Sequence, residues 1–223
     1  MKPMRKLLLP LLVVTAAMFA AAPILIARAP YESTMLMVQK IFYFHVPSWI
    51  AMYSALAVCG VASALYLFKG SRQADRVAVA AAELAVLFGL FGLVSGSLWG
   101  RKAWGVWWQW DARLTTALLL ELILCAYLFL RKYGGPGSEK LAAGVALFGM
   151  ADAVIVYKSV EWWRTVHPVT TVVSTLAPEM YGPLLFCSVA FMLLFGVLLT
   201  ARVALENRRG ELDALYLAIE DRR

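Results

Sequence analysis

The chain holds 223 residues, 62% of them hydrophobic and 16% charged, with a net charge of +7. Soluble domains run about 45–50% apolar and about 25% charged, so this composition excludes an ordinary water-soluble globule, and its low polarity excludes disorder. The 21 Lys and Arg are read as orientation charges of a membrane protein rather than as a nucleic-acid footprint, and no nucleic-acid partner is expected.

A helix needs about 20 apolar residues to cross the hydrocarbon core. Six stretches qualify, at about residues 7–27, 48–68, 77–98, 112–130, 141–157 and 182–201. Their apolar runs are continuous rather than alternating, which predicts helices and not the strands of a barrel. The fold class expected is therefore an all-α polytopic membrane protein, one integral domain over 1–223 with six transmembrane helices. The first stretch has a basic start and small residues at Ala20, Ala21 and Ala22, as a secretory signal would. It is longer than the usual h-region of about 7–15 residues, so a retained helix is expected; cleavage would leave the remaining topology unchanged.

Positive charges divide unequally between the two sides. Lys2, Arg5, Lys6, Lys69, Arg72, Arg76, Arg131, Lys132, Lys140, Arg202, Arg208, Arg209, Arg222 and Arg223 make fourteen on one side, against seven on the other. The richer side is predicted to be cytoplasmic, with both termini inside. Outer loops are then 28–47, 99–111 and 158–181, and a cytoplasmic tail covers 202–223. The inner connections at 69–76 and 131–140 are short, and no Gly-rich phosphate loop is present, so an ATPase working with this chain would be a separate polypeptide. The tail mixes Arg, Glu and Leu at helical spacing and reads as a solvated or partner-facing helix.

The rare residues gather outside. All eight tryptophans (Trp49, Trp99, Trp104, Trp107, Trp108, Trp110, Trp162, Trp163) and both histidines map to the outer side. An aromatic belt would populate both interfaces; here the inner one has no Trp. The second outer loop reads Trp104-Gly-Val-Trp-Trp-Gln-Trp-Asp-Ala-Arg-Leu-Thr115. Were its first part helical, Trp104, Trp107 and Trp108 would share one face as a rigid apolar plate suited to a large flat ligand. Asp111 would then begin the next helix, where it also reads as an N-cap.

His45, in Phe42-Tyr-Phe-His-Val-Pro-Ser48, precedes the second span, and His167, in Glu161-Trp-Trp-Arg-Thr-Val-His-Pro168, lies in the loop before the sixth. Two imidazoles flanking a tryptophan plate suit the two axial positions of a haem iron. The outer cations Lys40, Arg101, Lys102, Arg113 and Arg164 are available to its propionates. Zinc fits less well, because only Glu32, Asp111, Glu161 and Glu179 could complete a ligand set, and zinc gives the tryptophans no purpose.

Cys59, Cys125 and Cys187 lie inside spans without a Cys-x-x-Cys motif and read as small packing residues. Glu83, Glu121 and Asp152 lie within or near spans. No positive residue sits at similar depth in another span, so Glu83 reads as an internally bonded packing group. Asp152 stays open as a pathway or packing residue, and Glu121 carries no role. Gly92, Gly96 and Gly100 form a small-x-x-x-small stripe that would let another helix approach closely and so help hold the outer loop.

Trp104-Gly-x-Trp-Trp-x-Trp-Asp111-x-Arg113 resembles the tryptophan-rich "WWD" signature of the haem-handling membrane proteins of cytochrome c biogenesis. Six spans, this length and one His on each side of the signature resemble the CcmC family within that superfamily, and the Phe-His-Val-Pro and Trp-Trp-x-Thr-Val-His segments are similar to its two histidine loops. Pro168 stands where some relatives have Gln. The resemblance implies a protein of the bacterial inner membrane that holds haem b at the periplasmic face. His45 and His167 would be the axial ligands, and Trp104, Trp107, Trp108, Trp110 and Asp111 the haem- and chaperone-facing surface. Lys40 and Arg113 would meet the propionates or the chaperone. It also implies covalent attachment of that haem to the chaperone CcmE, with CcmD assisting and the ABC transporter CcmA/CcmB releasing the loaded chaperone. Against this stand two other functions, a haem transporter, which would need a polar path through the spans, and a bis-histidine electron-transfer cytochrome, which usually carries its histidines inside spans. A structural anchoring subunit would leave the tryptophan loop without a purpose.

Overall fold

The computed structural model describes residues 2–168 and 170–220, so Arg222 and Arg223 of the inner-side charges lie outside the described residues. Six α-helices follow in order: α1 Lys2–Arg28, α2 Phe42–Lys69, α3 Arg72–Ala103, α4 Ala112–Tyr133, α5 Ser138–Trp162 and α6 Pro178–Glu220. A 3-10 helix, Met37–Ile41, leads straight into α2, and a second covers Thr170–Thr175. All six α-helices are long and apolar enough to cross a membrane.

The helices turn sharply at one end of the bundle. Gly70 closes α2 in the left-handed region at φ 64°, and the Ser71 hydroxyl caps α3 by accepting from Ala74 N at 3.2 Å. Here the core is built from small residues: Ala62, Ala74, Ala78, Ala81, Ala82, Ala142 and Ala146 pack with Cys59 and Tyr127. In lipid, where apolar area drives little association, such small residues let helices approach closely. Arg131 donates to Asp75 at 2.8 Å. Arg202 pairs with Glu83 and, at 3.0 Å, with Glu206. The pairing of Glu83 departs from the sequence expectation that it lacked a cation. The helix expected to end near residue 201 continues unbroken as α6, and its next residue, Arg202, reaches α3.

Larger side chains fill the middle. Met52, Leu56, Leu84, Phe88, Leu120, Leu124, Val156, Phe191 and Phe195 form the main core between α2, α3, α4, α5 and α6. α2 packs on α3, α5 and α6, while α1 lies outside against α6. Glu121 and Asp152 are buried in this region, at 2% and 4% exposure. The other end carries the tryptophan loop, between α3 and α4, and the segment after α5.

Candidate functional site

Two of the sequence expectations change in shape here. His45 belongs to the first turn of α2 rather than to a loop, because the 3-10 helix before it lets the helix start at Phe42, ahead of Pro47. This puts His45, Trp49 and Tyr53 at i, i+4 and i+8 on one face. The tryptophan loop, in contrast, is not helical. α3 ends at Ala103, Gly105 reverses the chain at φ 79°, and Arg101 donates to the Gly105 carbonyl. The single plate expected of Trp104, Trp107 and Trp108 therefore splits.

Trp104 and Trp108 turn inward and line a void with His45, Trp49, Trp99, Arg113 and His167. Trp107 and Trp110 turn outward, at 58% and 75% exposure. With Trp108, which lines both spaces, they flank a shallow apolar groove along Leu93, Val94, Leu98 and Leu118. Trp99 meets Trp104 edge to face with ring centres 5.0 Å apart.

The inward void holds about 130 Å³ and adjoins a second of about 300 Å³. His45, Trp49, Tyr53, Trp99, Arg113 and His167 line both. The glycine stripe seats the aromatic rings. A methyl at Gly92 would lie 2.7 Å from Trp49 Cε2, and one at Gly96 would lie 3.0 Å from His45 Cε1. Gly100 admits Trp104 in the same way. The close neighbours of this stripe are thus side chains of the site.

Each imidazole has its tautomer set by a fixed partner. His45 Nδ1 lies 3.0 Å from Ser95 Oγ. That hydroxyl has one hydrogen, which goes to the Phe91 carbonyl at 2.8 Å or the Gly92 carbonyl at 3.1 Å. With its hydrogen on either carbonyl the hydroxyl accepts from His45, and Nδ1 carries the proton. His167 Nδ1 lies 2.8 Å from the Pro168 carbonyl, an acceptor only, so here too Nδ1 donates. Burial, then the neighbouring Arg113 guanidinium, holds the His167 imidazole down to about 4, neutral at physiological pH. In both neutral rings the lone pair is left on Nε2, the form in which imidazole binds a metal.

Among the described residues the Asp111 carboxylate accepts three hydrogen bonds. Oδ1 caps α4 by accepting from Leu114 N at 2.9 Å; Oδ2 accepts from Val166 N at 2.9 Å and from the Thr165 hydroxyl. Thr165 Oγ1 in turn accepts from His167 N at 3.1 Å. Arg113 donates to the Val156 carbonyl of α5, and among the described residues no carboxylate pairs with it. The Tyr53 hydroxyl and the Trp108 indole N–H are buried without a partner among the described residues. Lys40 stands apart: its ammonium donates to the Ile26 carbonyl at 2.6 Å and to the Ala29 carbonyl, closing the end of α1. Arg101, Lys102 and Arg164 are exposed and line neither void.

Sequence reasoning passed over Trp49, Tyr53, Trp99, Ser95 and Thr165. Trp49 and Tyr53 carried a signal, their four-residue spacing from His45, hidden only by starting the helix at residue 48. Ser95 sits inside the glycine stripe, where a hydroxyl reads as packing.

These features define a multi-pass membrane protein whose polar side chains converge on an aromatic-walled void at one end of the bundle. A family model described as CcmC, heme exporter protein C, matches residues 1–217. The chain is 35% identical to the heme exporter protein C of Bradyrhizobium diazoefficiens over 212 residues, 89% of this chain and 80% of that protein. It is 33% identical to that of Escherichia coli K12 over 186 residues, 80% and 76% of the two chains. A ccmC-like mitochondrial protein of cytochrome c biosynthesis from Marchantia polymorpha is 31% identical over 162 residues, 71% and 69% of the two. The chain belongs to the CcmC family.

Proposed function

We propose that the chain binds haem b between His45 and His167 and presents it for covalent attachment to the chaperone CcmE during cytochrome c maturation. The observation that carries the reading is the pair of imidazoles on one void, each with Nδ1 hydrogen-bonded and Nε2 without a partner among the described residues. Two such nitrogens supply both axial positions of a haem iron. The remaining donors fit the rest of the molecule. Among the described residues Arg113 lacks an acidic partner, and the Tyr53 hydroxyl and the Trp108 indole N–H lack any; a propionate carboxylate would accept from such groups. Trp49, Trp99, Trp104 and Trp108 are the apolar walls that keep water from the macrocycle.

The outward pair, Trp107 and Trp110, is assigned to the chaperone, since it stands beside the site without lining the histidine voids. The inequality of basic residues supports both termini in the cytoplasm and the haem site on the periplasmic face of the bacterial inner membrane. The chain then works as a single integral domain, with loops 28–47, 99–111 and 158–181 outside and the end of α6 inside. The resemblance adds CcmD and the CcmA/CcmB transporter as membrane partners. Presentation is favoured over passage of haem through the bundle because the layer beneath the voids is filled, with Met52 and Leu120 at 0% exposure.

The test is transfer. Haem-loaded chain mixed with haem-free CcmE in detergent is expected to yield haem covalently bound to CcmE, and the His45→Ala chain to yield none. Equal adduct from both chains would overturn the reading.

A further inference from the structure

The acid of the tryptophan motif faces away from the voids, toward the loop that carries His167. The geometry points to Asp111 as a positioning residue: its carboxylate ties residues 165 and 166 to the start of α4 and so fixes where His167 presents Nε2. The inference rests on the reading of His167 as a haem ligand.

Three observations carry it. Asp111 divides its oxygens between two tasks. Oδ1 caps α4 at 2.9 Å, as an Asp at this position commonly does. Oδ2 accepts from two donors of the loop after α5, the Val166 amide at 2.9 Å and the Thr165 hydroxyl. The cap alone needs one oxygen and gives no reason for the second. Next, the contact is continued toward the ligand. The Thr165 hydroxyl spends its one hydrogen on Asp111 and accepts from His167 N at 3.1 Å, so carboxylate, hydroxyl and backbone amide form an unbroken chain. Finally, few other contacts hold residues 163–166 among the described residues. Trp163, Arg164 and Val166 are exposed, and α5 has already ended at Trp162. His45, by comparison, rides on a helix and is held by Ser95. One ligand is thus fixed by secondary structure, and the other by a carboxylate.

The chemistry sets a sharp substitution. Asp111→Asn keeps an oxygen to cap α4, but its amide nitrogen is a donor and cannot accept from Val166 N or Thr165 Oγ1. It therefore loses the Val166 bond, can meet Thr165 Oγ1 only as a donor, and leaves the cap. Loss of such an outer-sphere partner typically weakens a metal–ligand bond about 10- to 100-fold. Thr165→Val removes only the hydroxyl, and Thr165→Ser restores it.

Two readouts on the full chain in detergent test the proposal. Amide exchange of Val166 in the haem-free protein is expected to quicken roughly tenfold in Asp111→Asn, the effect of one lost hydrogen bond to a charged group. On adding haem, the wild type and Thr165→Ser are expected to give a six-coordinate absorption spectrum. Asp111→Asn and, more weakly, Thr165→Val are expected to give a five-coordinate component that added imidazole converts to six-coordinate. Quickened exchange beside an unchanged six-coordinate spectrum overturns the positioning role, and so does unchanged exchange. A wild type that protects Val166 yet forms no six-coordinate haem marks failure of the ligand reading itself, and the positioning role falls with it.

Discussion

At the end of the bundle that carries the two tight turns, Arg131 is matched by Asp75, and Arg202 lies between Glu83 and Glu206. At the tryptophan end Arg113 has only a helix carbonyl, and buried Tyr53 and Trp108 donors have no partner among the described residues. Side-chain size differs as well: alanines pack the helices together at the first end, while tryptophans line the voids at the second. A charge left without a counter-charge in a low-dielectric setting is costly, and a protein keeps it where something else will complete it. One end of the molecule is finished in charge by its own carboxylates; the other is open, with Arg113 lacking one among the described residues.

Breaking the finished end should cost stability and leave binding alone. Arg131→Met strands the Asp75 carboxylate and is expected to destabilise the fold by about 3 kcal/mol, seen as a lower thermal midpoint in detergent, with haem affinity unchanged. Filling the open end should do the reverse. Gly96→Leu would drive a side chain into the seat of the His45 ring. Overpacking of this kind costs about 2–3 kcal/mol, and here it falls on the loaded state, because the empty void gives the displaced ring room. Haem affinity is expected to fall roughly 30- to 150-fold by spectral titration, while the thermal midpoint of the haem-free chain moves little.

Smaller changes sharpen the division within the site. Arg113→Gln removes the unpaired cation and is expected to weaken haem binding about tenfold, the scale of a hydrogen bond to a charged group. The same titration with a haem dimethyl ester should show no difference between the wild-type chain and the Arg113→Gln chain. Trp110→Ala, at an exposed outward ring, is expected to alter haem affinity less than about twofold while slowing adduct formation with CcmE. A drop in haem affinity as large as that of Arg113→Gln would place Trp110 with the inward rings instead.

Much of this was legible in the residues. Six apolar runs fixed the helices because lipid permits little else, and the rarity of His and Trp made their clustering plain. What stayed hidden depended on where helices begin and end. Starting α2 at residue 48 detached His45 from Trp49 and Tyr53, and ending α6 at 201 detached Arg202 from Glu83. The loop from Trp104 reads equally well as helix by spacing, yet Gly105 at positive φ breaks it and sorts its rings into two sets. The second task of Asp111 needed the tertiary contact with Thr165 and Val166, residues more than fifty positions away. The buried oxygens of Glu121, against Gly89, have no account in either the spacing or the packing.

The central claim is that His45 and His167 bind one haem iron together. The absorption spectrum of the purified chain with added haem, recorded beside His45→Ala and His167→Ala, tests it most directly. The account predicts a six-coordinate spectrum for the wild type and a weakened or five-coordinate one for each variant, restored by added imidazole. A wild type that takes up no haem, or two variants that both keep the wild-type spectrum, would contradict it.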